Sequence, residues 1–197
     1  MSLTYTVNTD VTGEPVEVSE LKEHLRVTHD EEDKLIEDIG KAAREQVEMF
    51  TRRQLMKATY DYTVETFPAG DDWLEIPKPP LQSLTATYID VNGTSQTLTS
   101  TLYTVDTASE PGRFFLAKDQ SWPDLEGAPN VQEVTLVCVT GYSSSATLSV
   151  QRAAVPLRAK QAIKILATQD YEHRGGSIED SPAARAKLWG LRVPDME

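Results

Sequence analysis

A chain of 197 residues, 39% hydrophobic and 25% charged, is long enough to bury a core, and that balance argues against both a disordered and a membrane-spanning protein. Its net charge of −12 argues against tight, sequence-specific nucleic-acid binding, which collects Lys and Arg against phosphate. The single cysteine, Cys138, excludes an intramolecular disulfide, and its apolar setting VQEVTLVCVT predicts a buried, inert thiol.

The opening MSLTYTVNTD has neither a basic region nor an apolar stretch, so no secretory signal is expected and synthesis is placed in the cytosol. Residues 1–17, broken by Gly13 and Pro15, predict an extended arm. Ser19 is placed as the N-cap of a short helix, SELKEHLRV, with Val18, Leu21 and Leu25 on one face. Thr28 is placed at the start of a second helix, with Glu31 completing a capping box and Asp30, Glu31 and Glu32 suiting the positive helix end. Leu35, Ile39, Ala42 or Ala43, Val47 and Phe50 recur at helical spacing, opposite a charged face that includes Lys34, Glu37, Asp38 and Lys41. The pattern predicts an amphipathic helix of about five turns.

From Thr59 the period changes to two: Tyr60, Tyr62 and Val64 alternate with Asp61, Thr63 and Glu65. A short strand, WLEI, ends at Pro77-Lys78-Pro79-Pro80, which no central strand continues through. Leu84 to Val91 and Ser95 to Leu98 read as a hairpin about Asn92-Gly93. Leu102 to Val105 and Arg113 to Leu116 flank the turn Pro111-Gly112, and Val131 to Thr140 is the most apolar strand. Six or seven short strands predict a small sandwich or open barrel. Ser143-Ser144-Ser145 reads as a link back to helix, and Pro156 as the first residue of the next one. That helix carries the stripe Ala159, Ala162, Ile163, Leu166, Ala167 and Tyr171, has His173 and Arg174 at its negative end, and stops at Gly175-Gly176. A last helix has Ser181 as cap and Pro182 at its first position, and the tail LRVPDME is expected to be extended.

The expected fold class is α+β: a small helical bundle of about four helices with an inserted antiparallel β-rich subdomain. The helical parts are 18–57 and 143–197, the insertion is 58–142, and residues 1–17 form the arm. Neither helical piece is large enough to bury a core alone, so the two flanks are expected to pack on each other.

No enzyme motif stands out. His24 and His29 are five apart, off the spacing of a zinc-binding H-E-x-x-H helix, and Asp30, Glu31 and Glu32 beside His29 fit an acidic helix start better than a metal site. There is no phosphate loop, no G-x-S-x-G and no EF-hand loop. A non-enzyme with no metal and no cofactor is expected. Aromatics such as Trp73, Tyr88, Phe114 and Trp122 in the β segment suit either a carbohydrate-binding face or, more simply, a sandwich core. The Arg52-Arg53 pair reads as an anion contact or as a complement to a helix C-terminus.

Four segments together resemble the head–tail connector (adaptor) proteins of long-tailed phages and gene transfer agents. They are VSELKEHLRVTHDEEDKLIEDIGKAAREQVEMFTRRQL; LEIPKPPLQSLTATYIDVNG; the Tyr103-x-Val105-Asp106 strand with Trp122-Pro123 and Gly141-Tyr142; and VPLRAKQAIKILATQDYEHRGG. The resemblance covers about residues 16–176 through their order and spacing; SPAARAKLWGLRVPDME is less distinctive. It implies a structural virion protein, assembled in the host cytoplasm, forming a ring, usually twelve-fold, beneath the portal. Such a ring extends the DNA channel, lets DNA pass without specific binding, and offers a docking surface to a stopper or tail-completion protein. It implies no catalysis, no cofactor and no membrane.

On that footing Arg44, Glu48, Arg52 and Arg53 are the expected subunit contacts, and Leu188, Trp189, Leu191, Arg192 and Val193 the expected portal contacts, with Trp189 as anchor. The alternatives are another tail or baseplate component, a carbohydrate-binding module, and a hydrolase with an unrecognised carboxylate pair.

Overall fold

The computed structural model describes residues 3–70, 72–127, 133–173 and 177–193. The protein is α+β, and the chain divides into two compact units, Met1–Asp10 with Lys57–Ser144 and Val11–Met56 with Ser145–Glu197.

The first unit holds the strands β1 (Thr4–Thr9), β2 (Ala58–Val64), β3 (Trp73–Ile76), β4 (Leu81–Ile89), β5 (Ser95–Thr97), β6 (Tyr103–Asp106), β7 (Gly112–Leu116) and β8 (Val134–Thr140). They form a five-stranded sheet, ordered β1-β2-β8-β4-β5, and a three-stranded sheet, ordered β3-β7-β6, with antiparallel pairing throughout. Both sheets are open-ended, so no barrel closes. The period-two pattern is realised in β2, where Ala58, Tyr60, Tyr62 and Val64 are buried and alternate with half-exposed residues. Tyr62 sits opposite Leu136 of β8, and Tyr60 sits opposite Cys138. Cys138 is fully buried, and burial pushes its thiol well above the ordinary range, which leaves it unreactive. The hairpin between β4 and β5 is held by Asp90, whose carboxylate accepts the N–H groups of Asn92 (2.9 Å) and Thr94 (3.0 Å), with Gly93 at φ 73°.

Most of the aromatics go to the core. Phe67 stacks on Trp122 at 4.5 Å, Trp122 lies 5.4 Å from Phe114, and Phe114 lies 5.3 Å from Tyr103. The Trp122 indole N–H donates to the Pro68 carbonyl at 2.8 Å. Gly112 of β7 lies so near Leu81 of β4 that an added Cβ would stand 2.8 Å from its Cδ2 atom, so a side chain there would push the strands apart. Trp73 is 52% exposed, with the Arg113 guanidinium 4.8 Å from its ring centroid, and Tyr5 is 49% exposed.

One element of this unit departs from the sequence expectation. Residues Thr4–Thr9 are a sheet-edge strand paired with β2, within what was read as an arm. All six are exposed, so they show little apolar contrast, and pairing comes from backbone bonds and from Asn8 donating to the Asp61 carboxylate.

The second unit holds α1 (Val18–Leu25), α2 (Asp33–Thr51), α3 (Leu148–Ala154), α4 (Leu157–His173) and α5 (Pro182–Leu188), followed by a 3-10 turn, Trp189–Leu191. The two flanks of the chain do pack on each other: α4 packs on α1, α2 and α5. The α2 side contributes Ile36, Ile39, Ala43 and Val47, and the α4 side Ala159, Ala162, Ile163 and Leu166, all buried. Gly40 admits the close approach of α1, since an added Cβ would stand 2.7 Å from the Leu21 Cδ1 atom.

Helix starts differ from expectation. A capping box joins Glu17 and Glu20 at the start of α1, so the cap is two residues ahead of Ser19. Helix α2 begins at Asp33, and the expected Thr28 cap does not form. Lys22 draws the preceding turn toward α1 by donating to Asp30 (2.5 Å) and Asp33 (2.6 Å). Ile36 lies in the core, and Leu35, expected on the apolar stripe, is exposed. Helix α3 was not expected, because its short stretch LSVQRAA buries only Gln151 and gives no apolar stripe. The expected stripe of α4 and the Ser181-Pro182 start of α5 are both present. Val131, Arg174, Gly175, Gly176 and the end of the expected tail lie outside the described residues.

Candidate interaction surface

The residues expected at subunit contacts divide into two sets. Arg44 is 7% exposed, and its guanidinium is consumed within its own chain. Its Nε donates to Glu14 at 2.8 Å and its Nη1 to Glu48 at 2.6 Å. The second Glu48 oxygen accepts the Leu55 N–H (2.9 Å) and the Gln54 amide (3.0 Å). Burial opposes charge on Arg44, but Glu48 and Glu14 outweigh it and hold the guanidinium above its ordinary value. Glu48 is pushed up by burial, against the pull of Arg44 and of the Leu55 N–H. Arg44 and Glu48 therefore serve the fold, closing the C-terminal end of α2 onto the segment around Glu14. Both are expected at subunit contacts from the sequence, and in the folded chain both are turned inward. Arg52 is exposed and left-handed at the end of α2, with φ 58°.

The expected portal set divides in the same way. Leu188 is fully buried and Val193 is 5% exposed. The chain after α5 is not extended as far as Val193: the Val193 N–H donates to the Thr51 carbonyl at 3.0 Å, and the Arg53 Nε donates to the Leu191 carbonyl at 2.5 Å. Arg192 lies 5.8 Å from the Phe50 ring centroid. Leu188, Val193 and Arg53 thus fasten this segment to the end of α2, and the outward residues are Trp189, 65% exposed, and Arg192. Trp189 borders a shallow depression with Pro182, Arg185 and Ala186.

Three large apolar side chains of α2 and α4 are exposed; Leu35 was expected on the apolar stripe, and Met49 and Leu157 were not singled out. Leu35 (50% exposed) and Met49 (74%) stand on the outside of α2, and Leu157 (67%) on the outside of α4. A groove of about 430 Å³ beside Leu157 is lined by Lys160, Lys164 and Ile165 of α4, Lys187 of α5, and Glu20 and His24 of α1. For Met49 and Leu157 the sequence signal is an apolar residue on the polar side of a helical period.

Among the described residues no group of three or more His, Cys, Asp or Glu side chains is placed to hold a metal. Asp30, next to His29, is engaged by Lys22. No described helix is long and apolar enough to cross a membrane.

Residues 15–86 match the model of the phage gp6-like head-tail connector proteins. This segment resembles a head–tail connector. It spans α1, α2, β2, β3 and part of β4. Solved structures share the fold over 98% of this chain and 97% of theirs. One is from the neck of an empty gene transfer agent particle computed with C6 symmetry (TM-score 0.77, 20% identity). A second is from the virion of a native gene transfer agent particle (0.76, 21%). A third is from the neck of a native particle computed with C12 symmetry (0.72, 20%). No curated protein matches the chain in sequence.

Proposed function

We propose that this protein is a head–tail connector, a structural component of a virion neck that forms a ring under the portal. The observation that carries this reading is the connector-family match over residues 15–86, joined to a fold shared along nearly the whole chain with neck proteins of gene transfer agent particles. The ring extends the DNA channel and receives a stopper or tail-completion protein on its far side. A net charge of −12 suits a channel through which DNA passes without being gripped. Trp189, Leu191 and Arg192, with Arg52 at the end of α2, form the surface offered to the portal; Trp189 is the anchor because it is a large exposed aromatic beside a chain turn. The work is done by shape and surface, with no bond made or broken.

Native mass spectrometry of the full chain mixed with the portal ring of the same genome tests this. Uptake of copies matching the portal's own subunit number is the expected result; a well-folded chain that the portal ignores would overturn the reading.

A further inference from the structure

We propose that the outward faces of α2 and α4 are the two complementary halves of one head-to-tail contact between copies of this chain. The proposal rests on the ring reading above and says which surfaces close the ring.

Helices α2 and α4 pack core side to core side, through Ile36, Ile39, Ala43 and Val47 against Ala159, Ala162, Ile163 and Leu166. Their outer faces therefore point away from each other, on opposite sides of the helical unit. On the outside of α2, Leu35, Ala42 and Met49 are exposed at seven-residue spacing, which places them in one line along the helix. Between them stand Asp38 and Glu45, also exposed. Lys34 flanks this line and reaches Asp38 at 2.9 Å, and Arg44 reaches Glu45 at 3.5 Å from the buried side. On the outside of α4 apolar side chains again lie among charges, here of the opposite sign. Leu157 and Ile165 lie among Lys160, Lys164 and Lys187, with Glu20 of α1 as the one carboxylate among the described residues of the groove, bonded to Lys164 at 3.3 Å.

Each face combines apolar side chains with charge of one predominant sign, and an exposed apolar line of this kind marks a contact surface. The face of α2 does not complement itself, because two copies of it would set Asp38 and Glu45 against their equivalents. It does complement the face of α4. Two different faces on opposite sides of one subunit make a heterologous contact, which closes into a ring when the rotation per copy fits. The partner is therefore a second copy of this chain.

Full-length Ala42→Cys and Gln161→Cys proteins, purified separately, are mixed with the portal ring and treated with a short bismaleimide; the native Cys138 is buried and does not compete. The expected product is a cross-link from residue 42 of one copy to residue 161 of another, well above 42–42 and 161–161 products. Adding Glu45→Lys to the first protein lowers that yield about threefold to fivefold, the scale of an exposed ion pair, and Lys160→Glu in the second restores it. Portal uptake with only like-to-like cross-links, or with none, would overturn the inference and leave the connector reading standing. A strong 42–161 product without portal uptake would support the inference and overturn the connector reading. Failure of both cross-linking and uptake would overturn both.

Discussion

In the β unit the strands turn their large side chains inward: Tyr60, Tyr62, Phe114 and Leu136 are all 4% exposed or less. In the helical unit the same kind of burial occurs along the α2–α4 seam, but Leu35, Met49, Leu157 and Trp189 are left outside at 50% exposure or more. Charge separates the units too. Only four of the chain's 19 Lys and Arg residues (Lys57, Lys78, Arg113 and Lys118) fall in the β unit. The helical unit therefore holds 15 of the 19 cations and five of the nine large apolar residues exposed among the described residues, which are means of recognising a partner. On the proposed connector function, contacts with other proteins fall on the helical unit.

Substitutions sharpen this contrast. The largest effect is expected in the aromatic core of the β unit, where Phe114→Ala removes contacts with Tyr103 and Trp122 and costs about 3–5 kcal/mol of stability. Chemical denaturation measures it, and a loss under about 1 kcal/mol would mean the cluster is not a tightly packed core. Arg44→Ala comes next. It leaves Glu14 and Glu48 facing each other with no cation between them, and because both keep some solvent contact the expected loss is about 2–3 kcal/mol. If Arg44→Ala instead left stability unchanged and abolished self-association, Arg44 would belong to the subunit contact after all. Trp189→Ala should move stability by no more than about 0.5 kcal/mol while weakening portal uptake; unfolding would return Trp189 to the core.

The smallest effect is in acid. Hydrogen bonds from Gln96, Thr94 and Asn92 hold the Asp90 carboxyl below its ordinary range. A depressed folded value supports the hairpin above the unfolded value, and that support is lost as pH falls through the folded one. Amide exchange at Asn92 and Thr94, corrected for intrinsic pH dependence, should therefore accelerate only below the ordinary aspartate range. Protection that stayed flat through acid would show that Asp90 does not hold the turn.

Much of the fold could be read from the chain because its signals are local. The Asn92-Gly93 hairpin, the alternation of β2, the Ser181-Pro182 start of α5 and the stripe of α4 each declare themselves within a few residues. What escaped depends on distant partners or lacks apolar contrast. The segment TYTVNT becomes a strand only by lying against β2, more than fifty residues on, and its Thr, Tyr and Val content was the one available sign. The role of Arg44 is decided by Glu14, thirty residues upstream, so a charged residue on a helix face looked outward when it was not. Leu191 and Val193 looked like part of a free tail because the bonds that fasten it come from Thr51 and Arg53.

Removing the gene for this chain from its own genome and examining the particles by electron microscopy tests the central claim most directly. A head–tail connector predicts capsids and tails that form separately and stay unjoined, with joining restored by the wild-type chain. Joined particles with an intact neck in the absence of this chain would contradict the account.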